Sequence, residues 1–269
     1  MQAVENVFED AEAYERFMGR WSRLVAPRLV EFAHLPNEGR VLDVGCGTGS
    51  LAFAIAALTT RTSVLGIDPS AEYVAYAAGR NLFSHRATFQ VGDAQQLDFP
   101  DACFEAALSL IAFNFIPDPR RALLELLRVI KPGGSLSAAV WEYGAGMRML
   151  RTFWDAAVDT DPDAEQLDEK HMPFCRPGEL AALWGVAGLE NISEQSIDIE
   201  MKFQSFTDYW ELFLLGQGPA GSYVQRLDRD RLQGLRDEVG KRLALPDETA
   251  PFVLSARVWL VRGIVPNRR

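Results

Sequence analysis

Short apolar runs alternate with stretches of helical spacing over residues 38–142. The run at 41–44 is followed by glycines at alternate positions, and apolar residues then recur at 51, 53–55, 57 and 58. This pattern predicts a buried strand, a tight turn and a helix. Further apolar runs at 64–68, before residue 93, at 104–109 and at 135–141 predict four more strands. Strands that alternate with helices favour an open, mostly parallel α/β sheet.

The rest of the chain is predicted from the same patterns. Residues 8–35 form an N-terminal helical segment. Helices are expected at 147–158, from 176–179 to Gly185 or Gly188, at 206–215 and at 227–243. Strands at 191–203 and 252–261 are expected to form an antiparallel edge pair. The helices between them, at about 205–246, exceed what a hairpin needs and are predicted to cap a pocket.

These elements predict one domain over residues 1–269 with a Rossmann-like α/β fold. Its parts are the N-terminal segment 8–35, a cofactor-binding core at 38–142, and a C-terminal part at 143–269. The sheet is expected to have seven strands, mostly parallel, with the antiparallel C-terminal pair and the helical cap.

The glycine-rich turn carries the clearest chemical signal. Asp43 lies in the strand, and Gly45, Gly47 and Gly49 follow it. A phosphate-binding P-loop needs a lysine after its glycines, and none is present. A dinucleotide-binding fingerprint needs its third glycine one residue later than Gly49. In addition, the carboxylate of Asp43 suits an ammonium group better than a pyrophosphate. A ligand with an amine, a carboxylate, a ribose and an adenine fits best, and S-adenosylmethionine is such a ligand.

Two further acids follow predicted strands. Asp68 ends the second strand, where a carboxylate can accept hydrogen bonds from ribose hydroxyls. Asp93 follows the third strand and can accept a hydrogen bond from the adenine amino group. Each has a simpler interpretation: Asp68 as the cap of a helix at 71–82, and Asp93 as the cap of a turn before Gln95 and Gln96.

Taken together, these segments resemble the class I S-adenosylmethionine-dependent methyltransferases over residues 38–142. The matching segments are the glycine loop 43–49, Asp68, residues 92–94, residues 104–118 and the turn at 131–134. The subgroup resembles the small-molecule methyltransferases of ubiquinone and menaquinone biosynthesis, as does the opening at 14–23. The resemblance implies a cofactor site formed by Asp43, Gly45, Cys46, Gly47, Thr48, Gly49, Asp68, Pro69, Ser70, Asp93, Ala94, Gln95 and Leu110.

The chain departs from that family after the fourth strand. The family often has Asp-x-Val there, followed by His-His, whereas this chain has Glu105-Ala106-Ala107 and later Phe113-Asn114-Phe115. No catalytic histidine can be assigned at that position. Neither His34 nor His85 is expected near the site, and the sequence identifies no catalytic base. Acceptor contacts are expected from Tyr14, Arg20, Phe113, Asn114, Trp141 and, in a loop near the pocket mouth, His171.

Composition narrows the classes of partner. The formal net charge is −10, which disfavours nucleic acid, and no Lys/Arg cluster precedes residues 262–269. The N-terminus does not resemble a signal peptide, and no apolar run reaches the length of a membrane span. Three distant cysteines offer neither a disulfide framework nor metal-ligand spacing, so no metal is expected and a cytoplasmic location is predicted.

The preferred hypothesis is methyl transfer from S-adenosylmethionine to a small molecule by in-line displacement, with catalysis mainly by positioning. Two alternatives remain open from the sequence: a protein that binds the cofactor without catalysis, and a nucleotide-dependent oxidoreductase. The N-terminal segment and the helices at 205–246 are expected to close over the pocket and to determine acceptor specificity.

Overall fold

A computed structural model describes residues 10–267 of the chain. Seven strands form one sheet in the order β3-β2-β1-β4-β5-β7-β6. Parallel pairings join β3 to β2, β2 to β1, β1 to β4, and β4 to β5. The C-terminal strands form an antiparallel pair, so the predicted fold class is confirmed. The strands are β1 (Glu38–Val44), β2 (Arg61–Asp68), β3 (Ala87–Val91), β4 (Phe104–Leu110), β5 (Ile130–Trp141), β6 (Glu190–Phe203) and β7 (Phe252–Ile264).

Ten α-helices connect these strands within the described residues. They are α1 (Ala11–Tyr14), α2 (Arg20–Ala33), α3 (Ser50–Leu58), α4 (Ala71–Gly79), α5 (Pro119–Val129), α6 (Arg148–Thr160), α7 (Glu179–Val186), α8 (Phe206–Leu214), α9 (Gly218–Val224) and α10 (Arg229–Leu243). A π-helical turn at Glu15–Gly19 separates α1 from α2. The predicted N-terminal segment begins at residue 8, so its first two residues lie outside the described part.

Side-chain caps explain where several helices begin. Ser70, Asp118, Ser205 and Asp228 each accept a hydrogen bond from the backbone amide three residues later. Such a cap satisfies one of the amides that has no partner within the helix. Pro119 occupies the first position of α5, where its missing N–H costs no hydrogen bond.

The predicted turn at residues 131–134 lies within a strand, which corrects the sequence prediction. Strand β5 begins at Ile130, which pairs with Phe104, and the next pairing joins Ser135 to Ala106. The intervening residues therefore form an irregularity in the ladder, and Gly133 has a φ of +77°. The strand continues on both sides of these residues. The prediction that residues 131–134 bend the chain was correct, and the prediction that they precede the strand was wrong.

Two further boundaries differ from the sequence prediction. Helix α4 ends at Gly79 and does not extend to residue 82. Helix α9 was not predicted, because Gly216, Gly218, Pro219 and Gly221 all favour a loop by intrinsic propensity. Pro219 is nevertheless tolerated because it lies in the first turn of α9.

The chain divides into two compact units. The larger unit comprises residues 19–140, 173–197 and 258–267 of the described chain. Its main hydrophobic core includes Leu42, Ile67, Phe104, Leu123 and Trp184, all buried. The predicted cofactor-binding core belongs to this unit up to residue 140. The single-domain prediction is not tested by this division.

The smaller unit comprises residues 10–18, 141–172 and 198–257 of the described chain. Its core is aromatic: the rings of Phe153 and Phe213 stack 4.3 Å apart, and Trp154 and Tyr223 lie beside them. The helices predicted as a cap, from about 205 to 246, belong to this unit. In the described part of the chain, no helix is both long and apolar enough to cross a bilayer.

Candidate functional site

The glycine loop between β1 and α3 is held against the end of β2 by backbone hydrogen bonds. The amides of Gly45 and Cys46 both donate to the carbonyl oxygen of Ile67, at 2.9 Å each. The Gly47 amide donates to Oδ2 of Asp68, also at 2.9 Å. These three successive amides fix the loop to the strand that ends in the predicted ribose acid.

The three glycines of this loop have positive φ values but different surroundings. A Cβ at Gly45 would lie 2.4 Å from the Cβ of Ala112, and a Cβ at Gly49 would lie 2.8 Å from the Phe53 ring. At Gly47 no atom lies within 4 Å of that position. Gly45 and Gly49 are therefore required by internal packing, whereas Gly47 leaves open space where a ligand can approach the backbone.

Asp68 fastens the loop as well as ending β2. Its Oδ1 accepts from the Ser70 amide at 2.9 Å, and its Oδ2 accepts from Gly47. The cap of α4 is Ser70, whose hydroxyl oxygen accepts from the Tyr73 amide, so the interpretation of Asp68 as the helix cap is wrong. Burial raises the pKa of Asp68, and the two amides oppose that effect. A carboxylate has about four acceptor positions, so two remain for ligand hydroxyls.

Asp43 is the most unusual group of the larger unit. Its side chain is fully buried, and neither carboxylate oxygen has a hydrogen-bond partner among residues 10–267. Burial is the main cause that raises the pKa of Asp43 to about 8; the Ala52 amide opposes the rise, and the Asp68 charge adds to it. An ionised carboxylate without a partner is costly in such a position, so the site favours a cation or a proton.

The predicted adenine contacts lie at the end of β3. The exposed Asp93 accepts from the backbone and side-chain amides of Gln95, at 2.8–3.1 Å. Asp93 thus stabilises the local turn, as the simpler interpretation required, and its role toward adenine stays a prediction. Ala94 is buried, as are Leu110 at the end of β4 and Cys46 and Thr48 in the glycine loop, whereas Pro69 is exposed.

The turn after β4 contains strain that the sequence did not indicate. Ile111 has a φ of +57°, a conformation that a β-branched residue rarely adopts. Its amide donates to the carbonyl oxygen of Ala139, and the next residue, Ala112, is the one that faces Gly45. Strain of this kind often occurs at ligand sites, where the surrounding structure compensates for it.

Asn114 follows in the same turn and has no hydrogen-bond partner for its side chain among residues 10–267. It is 4% exposed, and both its amide nitrogen and its carbonyl oxygen are buried. A buried amide in this state costs free energy unless a ligand or a water molecule completes its hydrogen bonds. Its neighbour Phe113 is fully buried and packs edge-on against Phe174, with ring centroids 6.1 Å apart.

The six predicted acceptor contacts are distributed between the two units. Arg20, Phe113 and Asn114 belong to the larger unit, and the Arg20 guanidinium lies 4.4 Å from the Trp21 ring. Tyr14, Trp141 and His171 belong to the smaller unit. Trp141 is buried and its Nε1 has no partner in the described chain, whereas His171 is exposed and lies 3.0 Å from Oε1 of Glu165.

A buried ionic cluster in the smaller unit was missed by the sequence analysis. Arg151 donates two hydrogen bonds of 2.7 Å to Asp168, and Trp154 donates its Nε1–H to Glu169. Burial is the main cause that raises the pKa of Glu169 to about 8. The sequence from Asp168 to His171 is typical of a solvated loop, because all four of its side chains can carry a charge. Nothing in that pattern predicts that two of them are buried. Within residues 10–267, no group of three or more His, Cys, Asp and Glu residues could hold a metal ion.

Known proteins resemble this chain most clearly around the glycine loop. Residues 41–134 match the family model described as a methyltransferase domain. This segment of the chain is therefore similar to a methyltransferase domain. The matched segment contains all of the predicted cofactor residues, including Asp43, Asp68 and Asp93.

Two curated relatives agree with the domain match. A 2-methyl-6-phytyl-1,4-hydroquinone methyltransferase from Synechocystis sp. is 38% identical over 46% of this chain and 39% of its own length. A ubiquinone/menaquinone biosynthesis C-methyltransferase UbiE from Geotalea daltonii is 33% identical over 42% of this chain and 48% of its own length. The chain thus spans less than half the length of either relative.

A solved structure with the same fold is a phosphoethanolamine N-methyltransferase 2 from Haemonchus contortus, in complex with S-adenosyl-L-methionine. It aligns over 96% of this chain and 57% of its own chain, with a TM-score of 0.60 and 18% sequence identity. At this identity the likeness concerns the fold alone.

Proposed function

We propose that this chain transfers a methyl group from S-adenosylmethionine to a small-molecule acceptor. The observation that carries the proposal is the buried, unpartnered Asp43 carboxyl beside a glycine loop whose Gly47 faces open space. A ligand that combines a cationic end with a ribose satisfies Asp43 and Asp68 together. The match of residues 41–134 to a methyltransferase domain supports this cofactor.

The residues of the domain fit the groups of such a cofactor one by one. Gly47 lets the backbone approach the methionine part, and Asp43 supplies a negative charge for its ammonium group. Asp68 retains acceptor positions for the ribose hydroxyls while it holds the Gly47 amide. Asp93 and Ala94, at the end of β3, are proposed to hold the polar edge of the adenine.

When bound, S-adenosylmethionine supplies a methyl group that is already activated by its sulfonium. The chain therefore needs chiefly to bind, align and desolvate the two reactants. Holding them at reacting distance can lower the barrier by roughly 7–11 kcal/mol in favourable cases. We assign no residue as a base, and a base is needed only if the acceptor must lose a proton.

The acceptor is proposed to be an apolar molecule that carries a polar group. Phe113 offers buried aromatic surface, and Asn114 offers a buried amide that can both donate and accept a hydrogen bond. Ligand sites commonly combine such apolar walls with a few polar groups. Arg20, in the same unit, is proposed as a further acceptor contact, and acceptor contacts from Tyr14, Trp141 and His171 stay predictions.

The partners and the location are also proposals. A net charge of −10 argues against a nucleic-acid acceptor, because phosphates would be repelled. The three cysteines form no disulfide, which agrees with a reducing cytoplasmic compartment.

Binding and turnover are tested separately. Calorimetry should show that the protein binds S-adenosylmethionine and S-adenosylhomocysteine, and that NADH does not compete. Transfer of a labelled methyl group should then be screened across quinols, phenols and small metabolites that contain an amine. Absence of binding to either S-adenosyl compound would refute the proposal. A non-catalytic role would be favoured if the cofactor binds, no acceptor is methylated, and substitution of Asn114 does not change the binding of any acceptor.

A further inference from the structure

The Asp43 carboxyl is enclosed by groups that cannot neutralise it. It lies on β1, where the residues opposite it in the neighbouring strands are Gly66 and Leu108. Its charged neighbour is Asp68, and the nearby Cys46 thiol stays protonated because burial raises its pKa. Asp43 therefore lies beside one acid and a neutral thiol, and the Ala52 amide favours its ionised form.

Among the described residues, the helices and strands around β1 place no cationic side chain that is seen to pair with Asp43. Helix α3 runs from Ser50 to Leu58 without a titratable side chain. On β4 the acid is Glu105, at the opposite end of the strand, where it accepts from the Arg40 amide and pairs with Lys131. On β2 the acid is Asp68 itself. On α2 the Arg20 guanidinium lies against the Trp21 ring.

We propose that the Asp43 carboxyl is protonated in the free protein and releases its proton when the ammonium group of the cofactor binds. This inference rests on the proposed function, since it assigns the ionisation of a residue within that cofactor site. The driving force is electrostatic: the incoming cation pairs with a carboxylate that has no other partner in the described chain. The α-amino group of the free ligand is largely protonated below pH 7, so it contributes no compensating uptake there.

Atoms and charges balance in this exchange. The free protein holds a neutral carboxylic acid, and the ligand arrives with its ammonium group protonated. The O–H bond of Asp43 breaks, the proton passes to the buffer, and the carboxylate pairs with the ammonium. Burial raises the pKa of Asp68 and the Gly47 and Ser70 amides oppose that effect, so a proton released at Asp68 would also be released by a ligand that carries only the ribose and adenine.

Calorimetry in several buffers tests the proposal. Titrations at pH 6.5 in buffers of different ionisation enthalpy give the number of protons released per ligand bound. S-adenosylmethionine and S-adenosylhomocysteine should each release about one proton, since a group that titrates near pH 8 is almost fully protonated at pH 6.5. Methylthioadenosine, which has the ribose and adenine but no ammonium group, should release almost none.

Two variants complete the test. Asp43→Asn should abolish the release and weaken S-adenosylhomocysteine binding by tenfold or more, whereas Asp98→Asn, which changes an exposed acid, should leave both unchanged. Failure of the unmodified protein to bind any S-adenosyl compound would refute the proposed function itself. Binding without proton release, equal release with methylthioadenosine, or release that persists in Asp43→Asn would overturn this inference alone. The comparison of ligands on the unmodified protein remains decisive even if Asp43→Asn does not fold.

Discussion

The ring of Phe17 packs edge-on against the ring of Phe213, with centroids 6.3 Å apart. Phe17 lies in the π-helical turn after α1, and Phe213 lies near the end of α8. This contact joins two segments that are far apart in sequence and that were both predicted to cover the site. Within the smaller unit they belong to one aromatic core, so they are expected to move together.

Phe213→Ala should lower the free energy of unfolding of the smaller unit by about 3–5 kcal/mol. The side chain is fully buried, stacks on Phe153 and contacts Tyr209, so its removal leaves a cavity. Urea unfolding monitored by tryptophan fluorescence measures the change. Leu214→Ala is the matched control, because Leu214 is 44% exposed and should cost less than ~1 kcal/mol. Equal effects of the two substitutions would contradict the assignment of Phe213 to the core.

The strands of the larger unit could be predicted because their signal is local. A run such as 41–44 is apolar at every position, since a parallel strand is covered on both faces. The glycine loop was also readable, because only glycine tolerates φ values such as +92° at Gly49 without strain. The hydrogen bond from Gly47 to Asp68 was not predictable, since it depends on how two distant segments meet.

Binding of S-adenosylmethionine should protect residues 10–23 and 205–225 from hydrogen exchange. This outcome is expected if the N-terminal segment and α8–α9 close over the ligand and exclude water from the reacting groups. The first two residues of the predicted segment, 8 and 9, lie outside the described structure. Mass spectrometry of exchange with and without ligand provides the measurement. Unchanged protection in both segments, together with intact turnover after deletion of the first, would contradict the lid prediction.

Asp68→Ala should weaken cofactor binding by about 1–3 kcal/mol, the scale of hydrogen bonds to a charged group. The substitution removes the proposed ribose contacts and also frees the Gly47 amide, which Asp68 holds at 2.9 Å. Calorimetry with S-adenosylhomocysteine measures the affinity, and circular dichroism checks that the variant is folded. Asp98→Ala serves as a control that removes an exposed acid. A folded Asp68→Ala protein with unaltered affinity would contradict the ribose assignment.

Glu169→Gln should remove a pH-dependent loss of stability. The folded-state pKa of Glu169 is about 8, whereas an unfolded glutamate ionises near 4.5. Between pH 4.5 and about 8 the folded state binds more protons than the unfolded state. The free energy of unfolding therefore declines as the pH rises through this range and levels off above about pH 8. The full difference is at most about 5 kcal/mol. Thermal unfolding from pH 4 to 9 should show this decline in the unmodified protein and a smaller one in the variant.

The matched control for this prediction is Glu165→Gln. Glu165 is half-exposed, and hydrogen bonds from Lys170 and His171 lower its pKa, so its removal should not relieve the decline between pH 4.5 and 8. If both variants follow the unmodified protein across that range, Glu169 is not the buried acid that the structure shows.

The chemistry at the site was predictable to different degrees for physical reasons. Asp43 and Asp68 could be selected as candidates because acids are unusual at buried strand positions. The strained backbone of Ile111 could not be predicted, because a β-branched residue gives no indication of a positive φ. The burial of Glu169 could not be predicted either, because it depends on tertiary packing against partners such as Trp154.

Alanine at Gly45 and at Gly47 should have different consequences, although both residues have positive φ values. At Gly45 the new Cβ would lie 2.4 Å from the Cβ of Ala112, so the variant should lose stability through the clash as well as through backbone strain. At Gly47 the Cβ enters open space, so the stability cost should be limited to the left-handed backbone, roughly 1–2 kcal/mol. Cofactor affinity should nevertheless fall at Gly47, because the added methyl occupies space that the ligand needs. Adding Ala112→Gly should restore part of the stability of Gly45→Ala and none of the affinity of Gly47→Ala. Thermal unfolding and calorimetry of the four variants separate the two effects, and full affinity in Gly47→Ala would show that the ligand does not approach the loop at that residue.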